Sequence, residues 1–127
     1  MAAIHDGYYT VSIGYEHRTF RVRTQDRDAS FAPGKQIISY LAGPSNESDY
    51  IQFAFITDGR VMPWKRFQSG YSTTIQAARY LVESRSIQEA AGQVYAQASG
   101  NCYVCNRLLT TPESIKAGIG PTCASRL

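Results

Sequence analysis

Tyr8-Tyr9-Thr10-Val11-Ser12-Ile13-Gly14-Tyr15-Glu16-His17-Arg18-Thr19-Phe20-Arg21-Val22-Arg23-Thr24 decides the fold class. Tyr9, Val11 and Ile13 share one face of an extended chain, and Tyr8, Thr10 and Ser12 the other. This period of two marks a half-buried strand rather than a helix. Gly14-Tyr15-Glu16 can turn the chain, and His17 to Thr24 alternates again, with Phe20 and Val22 inward and Thr19, Arg21 and Arg23 outward. The reading is a hairpin whose second strand has a basic outer face.

Working outward, residues 24–30 are polar and form a loop, and Pro33-Gly34 punctuates the next turn. Gln36–Leu41 reads as a third strand. Gly43 to Asp49 has the composition of an exposed loop. Tyr50–Thr57 is the most apolar run and reads as a central strand, closed by the hairpin signal Asp58-Gly59. Val61–Phe67 returns as a fifth strand, at an edge because Pro63 has no N–H for a ladder.

After residue 70 the period lengthens. Thr73 and Gln76 have the spacing of a capping box, and Ile75, Ala78, Leu81 and Val82 recur at helical intervals. Ser86 and Glu89 repeat the box, and Ile87, Ala90, Ala91, Val94 and Tyr95 follow as a second stripe. Two short helices joined near Ser84-Arg85 are expected. The fold class is therefore α+β: a mostly antiparallel sheet or partial barrel of about five strands, then two helices and a C-terminal metal module. The expected divisions are residues 1–70, a helical connector over 71–99, and a module over 100–127.

The chain has 127 residues, 43% of them hydrophobic, enough to bury a core. Its longest apolar stretch, Phe53 to Ile56, is far short of a membrane span, and Met1 to Asp6 does not resemble a secretory leader. A soluble cytoplasmic protein with no membrane partner is expected. Net charge is +3, which permits nucleic acid as a partner without requiring it.

Cys102-Tyr103-Val104-Cys105 puts two thiols on one tight turn, from which both can reach one tetrahedral zinc ion. Asn106, next in the chain, tolerates the positive φ that turns backbone amides toward the sulfurs. Cys123 follows after 17 intervening residues, close to the spacing of two-knuckle zinc sites, and stands behind Gly120-Pro121. An odd number of cysteines suits a reducing compartment better than a disulfide framework. Where a fourth ligand would ordinarily follow Cys123, Arg126 stands instead. His17 is the first candidate to replace it, with His5, Glu113 or water as alternatives. Three inert buried thiols, a redox pair at Cys102 and Cys105, and a three-thiolate iron–sulfur cluster are the competing readings.

Thr111-Pro112-Glu113-Ser114 is a helix start with Pro at the first position, and Gly118 a natural stop. The run from Cys102 to Ala124, through Arg107, Leu109-Thr110, Pro112, Ser114-Ile115 and Gly118-Ile119-Gly120-Pro121, resembles a short domain of unknown function frequent in proteins of actinobacteria and their phages. Its pattern is C-x-x-C-G-R-x-L-T-x-P-x-S-I-x-x-G-I-G-P-x-C, with Asn106 here in the place of a Gly. The N-terminal part is similar, around Ala32-Pro33-Gly34 and Trp64 to Phe67, to phage proteins that carry the same tail. The resemblance implies a zinc-binding accessory module and brings no enzyme class.

Candidate binding residues fall in three groups. Trp64, Lys65 and Arg66 join a flat π-face to two cations near an edge strand, which suits a base or a partner protein. Arg21 and Arg23, with Tyr8 and Tyr15 nearby, form a second basic and aromatic surface. Arg107 and Lys116 flank the metal turn and suit phosphate, opposed by Glu113. There is no His-Glu-x-x-His, no Gly-x-Ser-x-Gly and no phosphate-binding Gly loop, so no catalytic residue is expected. The expected function is binding, to nucleic acid or else to a host protein that it inhibits.

Overall fold

Strict alternation from Gly7 onward produces the sheet. In the computed structural model, which describes residues 3–126, β1 (Gly7–Ile13), β2 (Glu16–Thr24), β3 (Gln36–Leu41), β4 (Tyr50–Thr57) and β5 (Arg60–Pro63) pair antiparallel in the order β1-β2-β3-β4-β5. Each strand lies beside its neighbour in sequence, as short hairpin connections dictate. β1 pairs with β2 so that Tyr9 faces Phe20 and Gly7 faces Val22. Gly14 (φ 59°) makes one tight turn; Asp58 (φ 52°) and Gly59 (φ 72°) make another, with positive φ at both central positions, the twist a two-residue hairpin requires. A register shift at Ile38/Ser39 opposite β4 lets Phe53 and Ala54, adjacent in sequence, both reach the main core.

The position of two strands differs from the sequence reading. β4 is not central; it lies one place from the edge, because the chain simply meanders. β5 ends at Pro63, and Lys65–Phe67 is a single turn of 3₁₀ helix. Trp64 N–H still reaches the Phe53 carbonyl at 2.9 Å, but the ring of Pro63 breaks the ladder before it.

Two helices follow, α1 (Ser72–Leu81) and α2 (Arg85–Ser99). Neither starts at the expected box. α1 begins behind Tyr71 with no side-chain cap, and α2 begins two residues early, where the Ser84 hydroxyl accepts from Ile87 N–H. Ser84 wins because its extended backbone (φ −151°, ψ 157°) aims the oxygen at that donor. α1 lays Ile75, Ala77, Ala78 and Leu81 on the sheet face made by Tyr9, Val11, Phe20, Val22, Ile38 and Phe53, forming the main core. α2 packs along β1. Among the described residues no helix is long and apolar enough to cross a membrane.

The tail adds α3 (Pro112–Ala117) and α4 (Pro121–Arg126). Thr111 caps α3 by accepting from Ser114 N–H, Pro112 takes its first turn, and Gly118 (φ 75°) ends it. The tail docks on the rest through Tyr103, whose carbonyl accepts from Tyr8 N–H at 2.5 Å and whose ring packs on Gly92 of α2.

Candidate metal centre

The Cys102–Cys105 turn is held by backbone bonds: Asn106 N–H donates to the Cys102 carbonyl at 2.8 Å, and Cys102 N–H to the Arg107 carbonyl at 2.8 Å. Asn106 has φ 65°, the left-handed conformation expected of it. That geometry frees its side chain for a second task. Its amide donates to the Asn46 carbonyl at 3.0 Å, while its oxygen accepts from the Tyr95 hydroxyl and from Asn101. Asn106 thus ties the metal turn to α2 and to the β3–β4 loop.

Gly120-Pro121 starts α4 and brings Cys123 back against the turn. The ligand atoms of Cys102, Cys105 and Cys123 all lie within 4.8 Å of one another, the one such group of three metal-ligating side chains among the described residues. Tetrahedral zinc with Zn–S near ~2.3 Å sets its sulfurs about 3.8 Å apart. The observed spacing fits such an ion after small side-chain rotations. None of the three is in a disulfide. Cys102 and Cys123 are buried with Ala96 and Leu109 in a second, small core, and Cys105 is exposed.

The electrostatics set the two buried thiols apart. Burial opposes ionisation of Cys102, but N–H groups of Gly120, Cys105 and Val104 outweigh it and hold its pKa below the ordinary thiol value. Gly120 N–H lies 3.4 Å from Cys102 Sγ. Cys123 is pushed up to about 12, first by burial and then by the neighbouring thiols. Three sulfurs this close ionise together only when a cation compensates them, which is the role of a metal.

The histidines are elsewhere. His17 is exposed at the start of β2, with Nδ1 at 2.9 Å from Ser12 Oγ, and it is not brought to the cysteines. β1–β2 pairing sets Ser12–His17 at the hairpin tip, whereas the metal turn docks on Gly7 and Tyr8 at the other end of β1. His5 Nε2 lies 3.1 Å from Arg85 Nη1, and Glu113 is exposed in the first turn of α3; neither joins the group.

The other candidate residues separate. Lys65 and Arg66 are exposed, but Trp64 is half-buried, edge to face with Phe31 and Phe55, and its indole N–H is buried without a partner. Arg66 covers Phe67 at 4.7 Å. Lys116 is exposed in the last turn of α3, and Arg107 stands in a cleft beside the cysteines.

Arg21 and Arg23 occupy the sheet face turned away from α1. Arg21 is half-buried, its guanidinium 4.9 Å from the Tyr50 ring centre, and its Nε has no hydrogen-bond partner. Burial, and then Arg23, lower its pKa. Arg23 donates to the Tyr8 hydroxyl at 3.5 Å. Tyr8 stacks on Tyr95 at 5.3 Å and meets Tyr50 edge-on at 5.8 Å. Sequence reasoning named Tyr8 but missed Tyr50 and Tyr95, which come from distant elements and carry no local signal. Tyr15, named beside it, projects fully into solvent at the hairpin tip.

Residues 92–127 match a family of unknown function (DUF6011). No curated protein and no solved structure matches the chain. The matched span begins inside α2, at the glycine on which Tyr103 packs.

Proposed function

We propose that the protein is a non-enzymatic binding protein in which zinc, held by Cys102, Cys105 and Cys123, fixes a C-terminal module beside a nucleic-acid-binding sheet face. The observation that carries the reading is the arginine pair. Among the described residues the one ion pair is Arg18–Glu16, at 3.4 Å, so Arg21 and Arg23 stand side by side with no carboxylate to balance them. Holding a half-buried guanidinium next to another cation is costly unless an anion completes the site. A phosphate across Arg21 and Arg23 supplies that anion.

Zinc suits a set of three thiolates better than harder cations do. With the histidines elsewhere, the metal serves to fold the module. The tail's likeness to domains of phages and actinobacteria supports an accessory protein of phage or mobile-element type.

The test is anisotropy with labelled single-stranded and duplex oligonucleotides over a salt series. Binding should weaken steeply with salt, and replacing Arg21 or Arg23 by Gln should reduce the slope of log K against log salt by about 1 each. Absence of salt-dependent binding to any oligonucleotide would sink this reading. One observation favours a second reading, a protein partner such as a host or defence enzyme that the protein inhibits. Phe31 and Met62, 50% and 52% exposed, flank Phe55 and Trp64 near the β5 edge. Salt-insensitive capture of one protein, lost on replacing Phe31 and Met62 by Ser, would favour it.

A further inference from the structure

The cysteine cluster provides three donors where tetrahedral zinc takes four. Among the described residues no histidine or carboxylate joins the sulfurs, and both histidines are committed elsewhere, His17 to Ser12 and His5 to Arg85. The cluster is also not sealed. A cleft of about 310 Å³ runs to all three cysteines, walled by Arg107, Leu108, Leu109, Gly120, Pro121 and Thr122. Cys105, on its floor, is exposed, and Leu108 at its mouth is 72% exposed. A purely structural four-cysteine centre is closed; this one opens to solvent through the cleft.

Charge then narrows the donor. Zinc with three thiolates carries one net negative charge, and an anionic fourth donor raises that to two. Such a centre needs a nearby cation, and Arg107 is the one charged side chain in the cleft wall. A neutral donor leaves Arg107 one negative charge to balance and an anionic donor two, so the guanidinium favours the anion more strongly. Leu108 and Pro121 add an apolar lip that suits the carbon body of a small organic molecule.

We infer that the fourth position is a ligand site, filled through the Arg107 cleft by a small organic anion whose thiolate or carboxylate binds the metal. The inference rests on the metal reading proposed above. Binding is simple coordination: the incoming donor gives an electron pair to the metal, displaces solvent, and in the thiol case releases its proton to buffer. Arg107 is a positioning residue that neutralises the added charge.

The full chain loaded with Co²⁺ separates the possibilities. Sulfur-to-cobalt charge-transfer absorption, lost in Cys102→Ser, reports the three-thiolate site by itself, and its absence would overturn the metal reading rather than this one. With that absorption present, 2-mercaptoethanol and acetate are titrated separately while the visible d–d bands are followed. A saturable change with either probe supports the inference, and which probe acts tells thiolate from carboxylate. Arg107→Gln should weaken that probe by roughly fivefold, the upper range for an exposed charge pair. Bands that respond to neither probe would overturn the inference. Equal affinity in the wild type and Arg107→Gln would overturn the anionic assignment.

Discussion

The sheet and the tail of this chain are held together by different means. Around the sheet, seventeen buried residues from all five strands, the N-terminal segment, both long helices and the 3₁₀ turn form one contiguous core with Phe20, Phe53, Ile38 and Leu81 fully enclosed. Among the described residues the tail's apolar cluster has four buried members, Ala96 of α2 with Cys102, Leu109 and Cys123, half of them thiols. Hydrophobic burial at about 25 cal/mol per Å² sustains the first and falls far short for the second, whose α3 and α4 have six residues each. A region this short needs a staple, and the three sulfurs are placed to supply one.

The comparison breaks most sharply on metal removal. Chelation, or Cys102→Ser, should unfold residues 100–126 locally while the sheet keeps its protection, because structural zinc supplies on the order of 10 kcal/mol to a module of this kind. Hydrogen exchange resolved by peptide is the measurement. A tail that stays protected without metal would show that its small core suffices. The reverse experiment is Phe53→Ala, which should cost about 3–5 kcal/mol of global stability by denaturant unfolding, since the ring is fully enclosed beneath α1. Metal content of the residual folded fraction should be unchanged.

Smaller effects probe the seam between the two regions. A Cβ on Gly7 would stand 2.6 Å from the Tyr103 carbonyl oxygen, and one on Gly92 would stand 2.5 Å from the Tyr103 ring. Both are contacts no real Cβ makes, and Gly7 faces backbone that is itself bonded to Tyr8. Gly7→Ala and Gly92→Ala should each cost about 1–3 kcal/mol and loosen the tail more than the sheet.

The smallest expected effect is a pH dependence. In the metal-free protein Cys123 is raised to about 12, first by burial, and burial likewise raises Tyr9 and Tyr50 above the ordinary phenol value. A raised group contributes stability in full below its unfolded pKa and loses it as pH climbs through the folded value. Cys102, held low, works the other way and at lower pH, adding stability as pH climbs to the unfolded thiol value and none beyond it. Above that value only the raised groups act, so metal-free protein should lose thermal stability from about pH 9 upward, where Cys123 begins to lose its advantage. With the metal bound the thiols are already ionised and the decline should be shallower. Equal slopes with and without metal would argue that the sulfurs do not hold it.

Local chemistry made much of this legible in advance. Gly14 and Asp58-Gly59 announce their turns because only certain residues accept positive φ, and the alternation from Tyr8 to Thr24 assigns the core face of the hairpin without reference to anything else. Thr111, Pro112 and Gly118 mark both ends of α3. The cysteine turn and its Asn106 are equally local, since two thiols on one knuckle and a residue tolerant of left-handed backbone are neighbours in the chain. Less local features misled. Ser86 with Glu89 has the spacing of a helix start, but Ser84 is the residue whose backbone is extended enough to cap α2.

What the sequence alone determined is therefore the set of elements, the core face of the first hairpin, and the gathering of Cys102 and Cys105. Each depends on residues within a few positions of one another. Tertiary structure decided the rest. It put His17 at the hairpin tip, away from the metal turn, and turned Trp64 edge-on into Phe31 and Phe55. It brought Tyr50 from β4 and Tyr95 from α2 around Tyr8 and under the arginines of β2. These juxtapositions join residues as far apart as Arg21 and Tyr95, and their distances depend on strand order and helix docking, which no period or spacing along the chain encodes.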